Sequence, residues 1–304
     1  MRRLVFCLFL SAAVVTPCLA QDDPGSTLKV DVKLVNMFVT VTDGHGSPVG
    51  SLNKEDFKLS EDGVEQKIAV FDRQSELPLS IITAIDTSLS TKKDLKLETE
   101  SARHFAHTIL RPVDAMALYQ FSEIVSELVP FTADLERIDR GINTIHPGSA
   151  TALYDAICLG SEAMESRHGR KVMVVITDGG DTASSNRYAD ALRSAQSAEA
   201  IVYSIIIVPI EASAGRDTGG EHALVQIAND TGGKYYYATS LPQLDEAFRK
   251  ISEELRTQYL LAYYPTRRFS DSDFRRVEIK LAAPAAANYR ARYRAGYFTS
   301  SGHF

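Results

Sequence analysis

The sequence predicts an α/β fold: a doubly wound, mostly parallel sheet inserted in a small β-sandwich that both chain ends build. Three observations carry this reading. Between residues 78 and 255, short apolar runs alternate with amphipathic helical stretches, the pattern of a parallel sheet covered on both faces. Two of those runs, 79–85 and 171–177, are each followed by an aspartate, and ligand sites in such sheets form beyond the carboxyl ends of strands. The flanking segments 28–75 and 256–299 alternate with period two. Neither holds enough strands for a robust domain, so the economical solution packs them together.

The first 20 residues read as a secretory signal peptide. Arg2 and Arg3 precede an apolar core over 4–15, and Ala20 supplies a small residue before Gln21. A short membrane anchor is the competing reading, and Pro17 before Cys18 argues against a lipoprotein. Cleavage implies a periplasmic or secreted protein. It removes Cys7 and Cys18 and leaves Cys158 alone, so the mature chain has no intrachain disulfide and rests on its core. No later segment is long and apolar enough for a spanning helix. With 44% apolar and 24% charged residues, disorder, collagen and coiled coil are poor readings. A net charge of −6 gives no general support for nucleic-acid binding.

The remaining elements follow in order. Residues 28–42 alternate as a long strand, with a phase change that suggests a bulge near Asn36. Asp43-Gly44 and the segment 45–48 are turn signals; Phe57 and Leu59 mark a short strand. Asp62-Gly63 turns the chain into a strand over 64–71. After the strand at 79–85, helices are expected at 92–110, 135–145, 151–166 (opening at Thr151), 188–198, 221–229 and 241–255. Strands are expected at 115–121, 127–131, 171–177, 201–208 and 234–238. Beyond 255 come strands at 258–264 and 274–281, a loop at 282–288 containing Pro284, and one alternating strand at 289–298.

Asp86-Thr87-Ser88-Leu89-Ser90 follows the first central strand. Thr151 comes after Gly148-Ser149-Ala150, and Asp178 precedes Gly179-Gly180. Asp86, Ser88, Ser90, Thr151 and Asp178 offer two carboxylates and three hydroxyls, without Cys or His. Such hard oxygen donors select a hard divalent cation, Mg²⁺ first, then Mn²⁺ or Ca²⁺. Ser88 and Ser90 are expected to coordinate directly, and Thr151 directly or through water. Asp86 and Asp178 are expected to bind through water or directly and to orient the hydroxyls. A divalent ion with few anionic ligands stays electrophilic and can take an Asp or Glu carboxylate from a protein partner. Ordinary turn and cap residues are the plainer reading of the same side chains.

The order DTSLS, then Thr151 after a Gly-containing loop, then ITDGG resembles the metal-ion-dependent adhesion site of von Willebrand factor type A domains, over about 78–255. The outer pieces VNMFVTVTDGHGSPVGSLNKEDFKLSEDGVEQKIAVF and YRARYRAGYF are similar to bacterial secreted VWFA-related proteins abundant in acidobacteria. The wider resemblance implies adhesion or assembly through metal-assisted protein contacts. Two other classes stay open. One is an envelope structural or assembly protein whose metal site is vestigial or stabilising. The other is a metal-dependent hydrolase, disfavoured because no general base is evident beside the committed aspartates.

Other signals have duller readings. His104 and His107 lie on a helix surface without further ligands. Tyr235, Tyr236 and Tyr237 read as core and edge packing, and Cys158 as an inert thiol. The arginines at 267, 268, 275, 276, 290, 292 and 294 read as a solvated basic face.

Overall fold

A computed structural model describes residues 34–73, 76–91, 95–208, 218–267, 274–282 and 284–299. The expected signal peptide and the start of the first strand lie outside the described residues. The central element is a six-stranded sheet. It contains β5 (Leu79–Asp86), β6 (Ala115–Phe121), β7 (Val125–Thr132), β8 (Arg170–Thr177), β9 (Ala200–Ile207) and β10 (Tyr235–Ala238). Its order is β10-β9-β8-β5-β6-β7, all parallel except the edge strand β7, which turns back on β6. Every residue of β5 and β9 is buried, as befits strands covered on both faces.

Alternation on β5 sends Ile81 and Ile85 to one face, Ile82 and Ala84 to the other. The first face packs against α1 (Leu95–Ile109), α2 (Leu135–Ile142) and α6 (Leu241–Thr257), where Phe105 stacks on Phe248 at 4.6 Å. The second packs against α3 (Leu153–Glu165), α4 (Tyr188–Ser197) and α5 (Thr218–Asp230) through Ile157, Ala191 and Leu224. Helix α3 begins at Leu153 with Ala152 as its cap, so Thr151 lies in the preceding loop rather than opening the helix.

The outer segments form two four-stranded sheets that share one core. The N-terminal part contributes β1 (Val35–Thr42), β2 (Phe57–Glu61), β3 (Val64–Gln66) and β4 (Ile68–Arg73). The C-terminal part contributes β11 (Tyr259–Tyr263), β12 (Phe274–Leu281), the short helix α7 (Ala285–Asn288), β13 (Arg290–Arg292) and β14 (Gly296–Phe298). The sheet orders are β13-β1-β11-β4 and β14-β12-β2-β3, so each sheet takes strands from both ends. Met37, Val39, Leu59, Tyr259, Tyr263, Ile279 and Tyr297 fill the space between them.

Several expectations are corrected. The strand expected at 64–71 is two strands, because the chain leaves one sheet after Gln66 and joins the other at Ile68. The strand expected at 289–298 divides the same way into β13 and β14. No bulge falls at Asn36: β1 runs in register with β11 from Val35 to Val39, then pairs β13 from Thr40. The loop expected at 282–288 contains α7. The basic C-terminal face is partly an interior. Arg275 is 1% exposed and pairs with Glu61 at 2.9 Å, and Glu61 also accepts the Tyr263 and Tyr297 hydroxyls at 2.7 Å. Arg292 pairs with buried Glu254, and Arg294 with Glu199 at 3.4 Å.

The Arg292 and Arg294 pairs fix the sandwich to the α/β unit. Glu254 of α6 also accepts hydroxyls from Tyr203 and Tyr236. A single residue, Gln258, separates α6 from β11. Buried Arg170, at the start of β8, donates to the carbonyls of Leu255 and Leu77, tying together the places where the chain enters and leaves the α/β unit. Gly232 adopts φ +82°, and a side chain there would run into the backbone of Tyr293 and Arg294. All these contacts lie toward the amino ends of the parallel strands, the end opposite Asp86 and Asp178.

Removing one member of a buried charge pair strands the other. Glu61→Ala is expected to lower unfolding stability by about 3 kcal/mol, measured by urea denaturation, whereas Lys280→Ala on the outer face of β12 is expected to change it by less than about 0.5 kcal/mol.

Candidate metal site

Asp86 ends β5 and is 0% exposed. One carboxylate oxygen accepts the Ser88 N–H at 2.8 Å, and the other accepts the Thr177 hydroxyl at 2.6 Å. The second contact follows from register: Ile85 of β5 faces Ile176 of β8, so the next residues on the two parallel strands are neighbours. The Thr91 hydroxyl lies within hydrogen-bond distance of the carbonyls of Asp86 and Ser88, at 3.1 and 3.0 Å, and closes the loop upon itself. Inside that loop Ser88 Oγ and Ser90 Oγ stand 3.0 Å apart, and Ser90 Oγ donates to Asp178 Oδ1 at 2.9 Å. Four of the five expected residues thus form one hydrogen-bonded chain: Asp86, Ser88, Ser90, Asp178.

Thr151 joins through its loop. Its N–H donates to the Thr182 hydroxyl at 2.9 Å, and its carbonyl accepts N–H groups of Thr182 and Ala183 at 2.8 and 3.1 Å. On the other side, Gly148 N–H donates to the Thr87 carbonyl at 2.6 Å, and Ala152 N–H to the Ser122 carbonyl at 2.6 Å. Gly148 has to be glycine here, because a Cβ would collide with the Ser122 side chain. Asp181 accepts the Tyr154 N–H at 3.3 Å and so caps the start of α3 from the loop after Asp178. The loops that carry Asp86, Thr151 and Asp178 are therefore stitched at one rim of the sheet.

Sequence reasoning missed Thr177, Thr91, Thr182 and Asp181. Thr177 alone carried a signal, as the residue before the aspartate in ITDGG.

Burial is the main force on Asp86 and pushes its carboxyl up to about 6. Hydrogen bonds from Thr177 and Ser88 oppose that rise, and the charge of Asp178 adds to it. The hydrogen-bond donors that reach the Asp86 carboxylate are neutral, so a cation at this rim would relieve a cost that they do not. At the edge, Glu123 accepts the Ser149 N–H and hydroxyl at 2.8 and 2.9 Å, and these bonds hold its carboxyl down at about 2.

Among the described residues no three His, Cys, Asp or Glu side chains gather into a metal-binding group. The set at this rim is of another kind, two carboxylates with hydroxyls, and its all-oxygen chemistry fits a hard divalent cation.

The model of the von Willebrand factor type A domain matches residues 80–250, more than half of the chain, and the protein belongs to that family. A comparison with curated proteins finds no match. Among solved structures, a von Willebrand factor type A protein from Catenulispora acidiphila is 12% identical, covering 88% of this chain and 73% of its own, with a TM-score of 0.52. Proximal thread matrix protein 1 from the mussel byssus is 13% identical, covering 64% of this chain and 51% of its own, with a TM-score of 0.52. An aerotolerance-related membrane protein from Bacteroides fragilis is 22% identical, covering 58% and 98%, with a TM-score of 0.48. The likeness to the first two is one of fold. Among the described residues no helix is long and apolar enough to cross a membrane.

Two outcomes follow from the buried carboxylate. Thr177→Val leaves one Asp86 oxygen without its donor and is expected to destabilise the chelator-treated protein by about 1–3 kcal/mol at pH 7, read by urea denaturation. The folded carboxyl titrates near 6 against an ordinary 3.8, so the folded state holds the extra proton between those values. Stability from this group therefore rises as pH falls from about 7 toward 4. In chelator, wild type is expected to gain about 1 kcal/mol over Asp86→Asn on going from pH 7 to pH 5.

Proposed function

We propose that this chain is an extracytoplasmic protein-binding and assembly module, and that its rim holds a divalent cation, Mg²⁺ first and otherwise Mn²⁺ or Ca²⁺, to capture an Asp or Glu carboxylate of a partner protein. One observation carries the reading: Asp86, Ser88, Ser90 and Asp178 form a continuous hydrogen-bonded chain at the end of the sheet away from the sandwich. In this reading Ser88 and Ser90 turn their oxygens to the ion, Thr151 adds a hydroxyl from the adjoining loop, and the two aspartates orient the hydroxyls and balance charge. The bound cation would supply an electrophilic centre for an outside carboxylate. Thr177 keeps Asp86 in place, and Gly148 allows the loops to approach. The periplasmic or secreted location belongs to the same proposal, as does membership among the secreted VWFA-related proteins of the acidobacterial type.

A binding role suits this site better than hydrolysis. Asp86 is 0% exposed with both oxygens already accepting hydrogen bonds, which keeps it from a substrate's proton.

A second reading has its own support. The same hydrogen bonds close the cluster with protein groups alone, as a stabilised rim would. In that case the chain is an envelope structural or assembly protein and the ion, where present, only stiffens the loops. A thread matrix role is what the name of the byssal protein gives for that protein.

Calorimetric titration with Mg²⁺ and thermal melts in Mg²⁺ or chelator test the proposal. Wild type is expected to take up one ion and melt higher at pH 7, with a smaller gain at pH 5 where Asp86 is protonated; Asp86→Ala is expected to do neither. A melting gain with no effect of chelator on partner binding would favour the second reading. No uptake by wild type would remove the first.

A further inference from the structure

We propose that Glu123 is a positioning residue of the cation site, holding Ser149 so that the Thr151 hydroxyl is presented to the ion. This rests on the cation-binding reading of the rim and assigns a role to a side chain outside the expected ligand set.

Thr151 differs from the other hydroxyl candidates. Ser88 and Ser90 belong to the loop that Asp86 begins, and their hydroxyls engage each other and Asp178. Thr151 comes from a separate loop and is buried, at 6% exposure. Its N–H and carbonyl are taken by Thr182 and Ala183. Among the described residues its hydroxyl has no hydrogen-bond partner. That hydroxyl is open to an outside ligand, and where it stands depends on how its loop is held.

Two backbone bonds pin the ends of the loop, from Gly148 to the Thr87 carbonyl and from Ala152 to the Ser122 carbonyl. Between them stands Ser149, two residues before Thr151. Its N–H and its hydroxyl both donate to one oxygen, Glu123 Oε2, at 2.8 and 2.9 Å. A carboxylate that takes both donors of one residue fixes its backbone and its side chain together. The loop also lies close upon the turn that carries Glu123. A Cβ at Gly148 would collide with Ser122 and come within 2.9 Å of Glu123 Oε2.

Glu123 and Ser149 are both exposed, so their contact adds little to the stability of the fold. Helix α3, which follows the loop, has its own cap in Asp181. What the Glu123 contact fixes is the segment that carries Thr151. Outer partners that orient a metal's ligands are worth about 10–100-fold in metal affinity.

Mg²⁺ titration calorimetry on the full chain, with melts in chelator, tests this. Glu123→Ala is expected to bind Mg²⁺ about tenfold more weakly than wild type, with the melting temperature in chelator unchanged. Glu123→Gln keeps an oxygen for both Ser149 donors and is expected to recover most of that loss. In a Thr151→Val protein, Glu123→Ala is expected to weaken binding no further, because the hydroxyl it positions is gone. Wild-type affinity in Glu123→Ala overturns the proposal. So does Glu123→Gln binding as weakly as Glu123→Ala, which would make the charge and not the hold on Ser149 the cause. A further loss in the Thr151→Val background, or a fall in the chelator melting temperature of Glu123→Ala, overturns it as well. Failure of wild type to take up Mg²⁺ overturns the cation reading itself, and this inference with it.

Discussion

A carboxylate taken out of water at the end of a central strand is the constraint around which this molecule is arranged. Asp86 cannot be buried cheaply as an anion. It sits there because Thr177 on the neighbouring strand and the Ser88 N–H meet its oxygens, and because the loop it begins is closed by Thr91. Those bonds turn the serine hydroxyls toward each other and toward Asp178. The fold supplies the register that makes the arrangement possible, and the site uses the carboxyl ends of the parallel strands, the end opposite the sandwich.

The sandwich complements this plan from the opposite end. Its strands come from both sides of the α/β unit, and ion pairs of Arg292 with Glu254 and Arg294 with Glu199 fasten it there, while Arg170 ties Leu77 to Leu255 where the chain enters and leaves that unit. With one residue between α6 and β11, the last helix of the α/β unit and the sandwich share a backbone with little slack. The α/β unit is therefore held by its base, with its rim presented outward.

Much of this was legible in the sequence, and the exceptions have a common cause. The central strands were visible because long apolar runs end abruptly at Asp86 and Asp178, and a strand buried on both faces has few other ways to look. The family resemblance rested on the same residues. What stayed hidden depends on pairing between distant segments. Lys67 lies inside a stretch that reads as one strand, yet the chain changes sheets there, which no turn residue records. Arg275, Arg292 and Arg294 look like surface residues by composition. Arg275 and Arg294 are buried and Arg292 is half-buried, because Glu61, Glu199 and Glu254 come to them from far along the chain. Thr177 escaped notice because its role needs the register of β5 against β8.

The central claim is that the hydrogen-bonded rim is a cation site, and anomalous diffraction from crystals grown with Mn²⁺ tests it most directly. The account predicts one strong peak lying among Ser88, Ser90 and Thr151, lost in crystals of the Asp86→Ala protein. A map with no peak at this rim, in crystals whose Mn²⁺ binds elsewhere on the molecule, would contradict it.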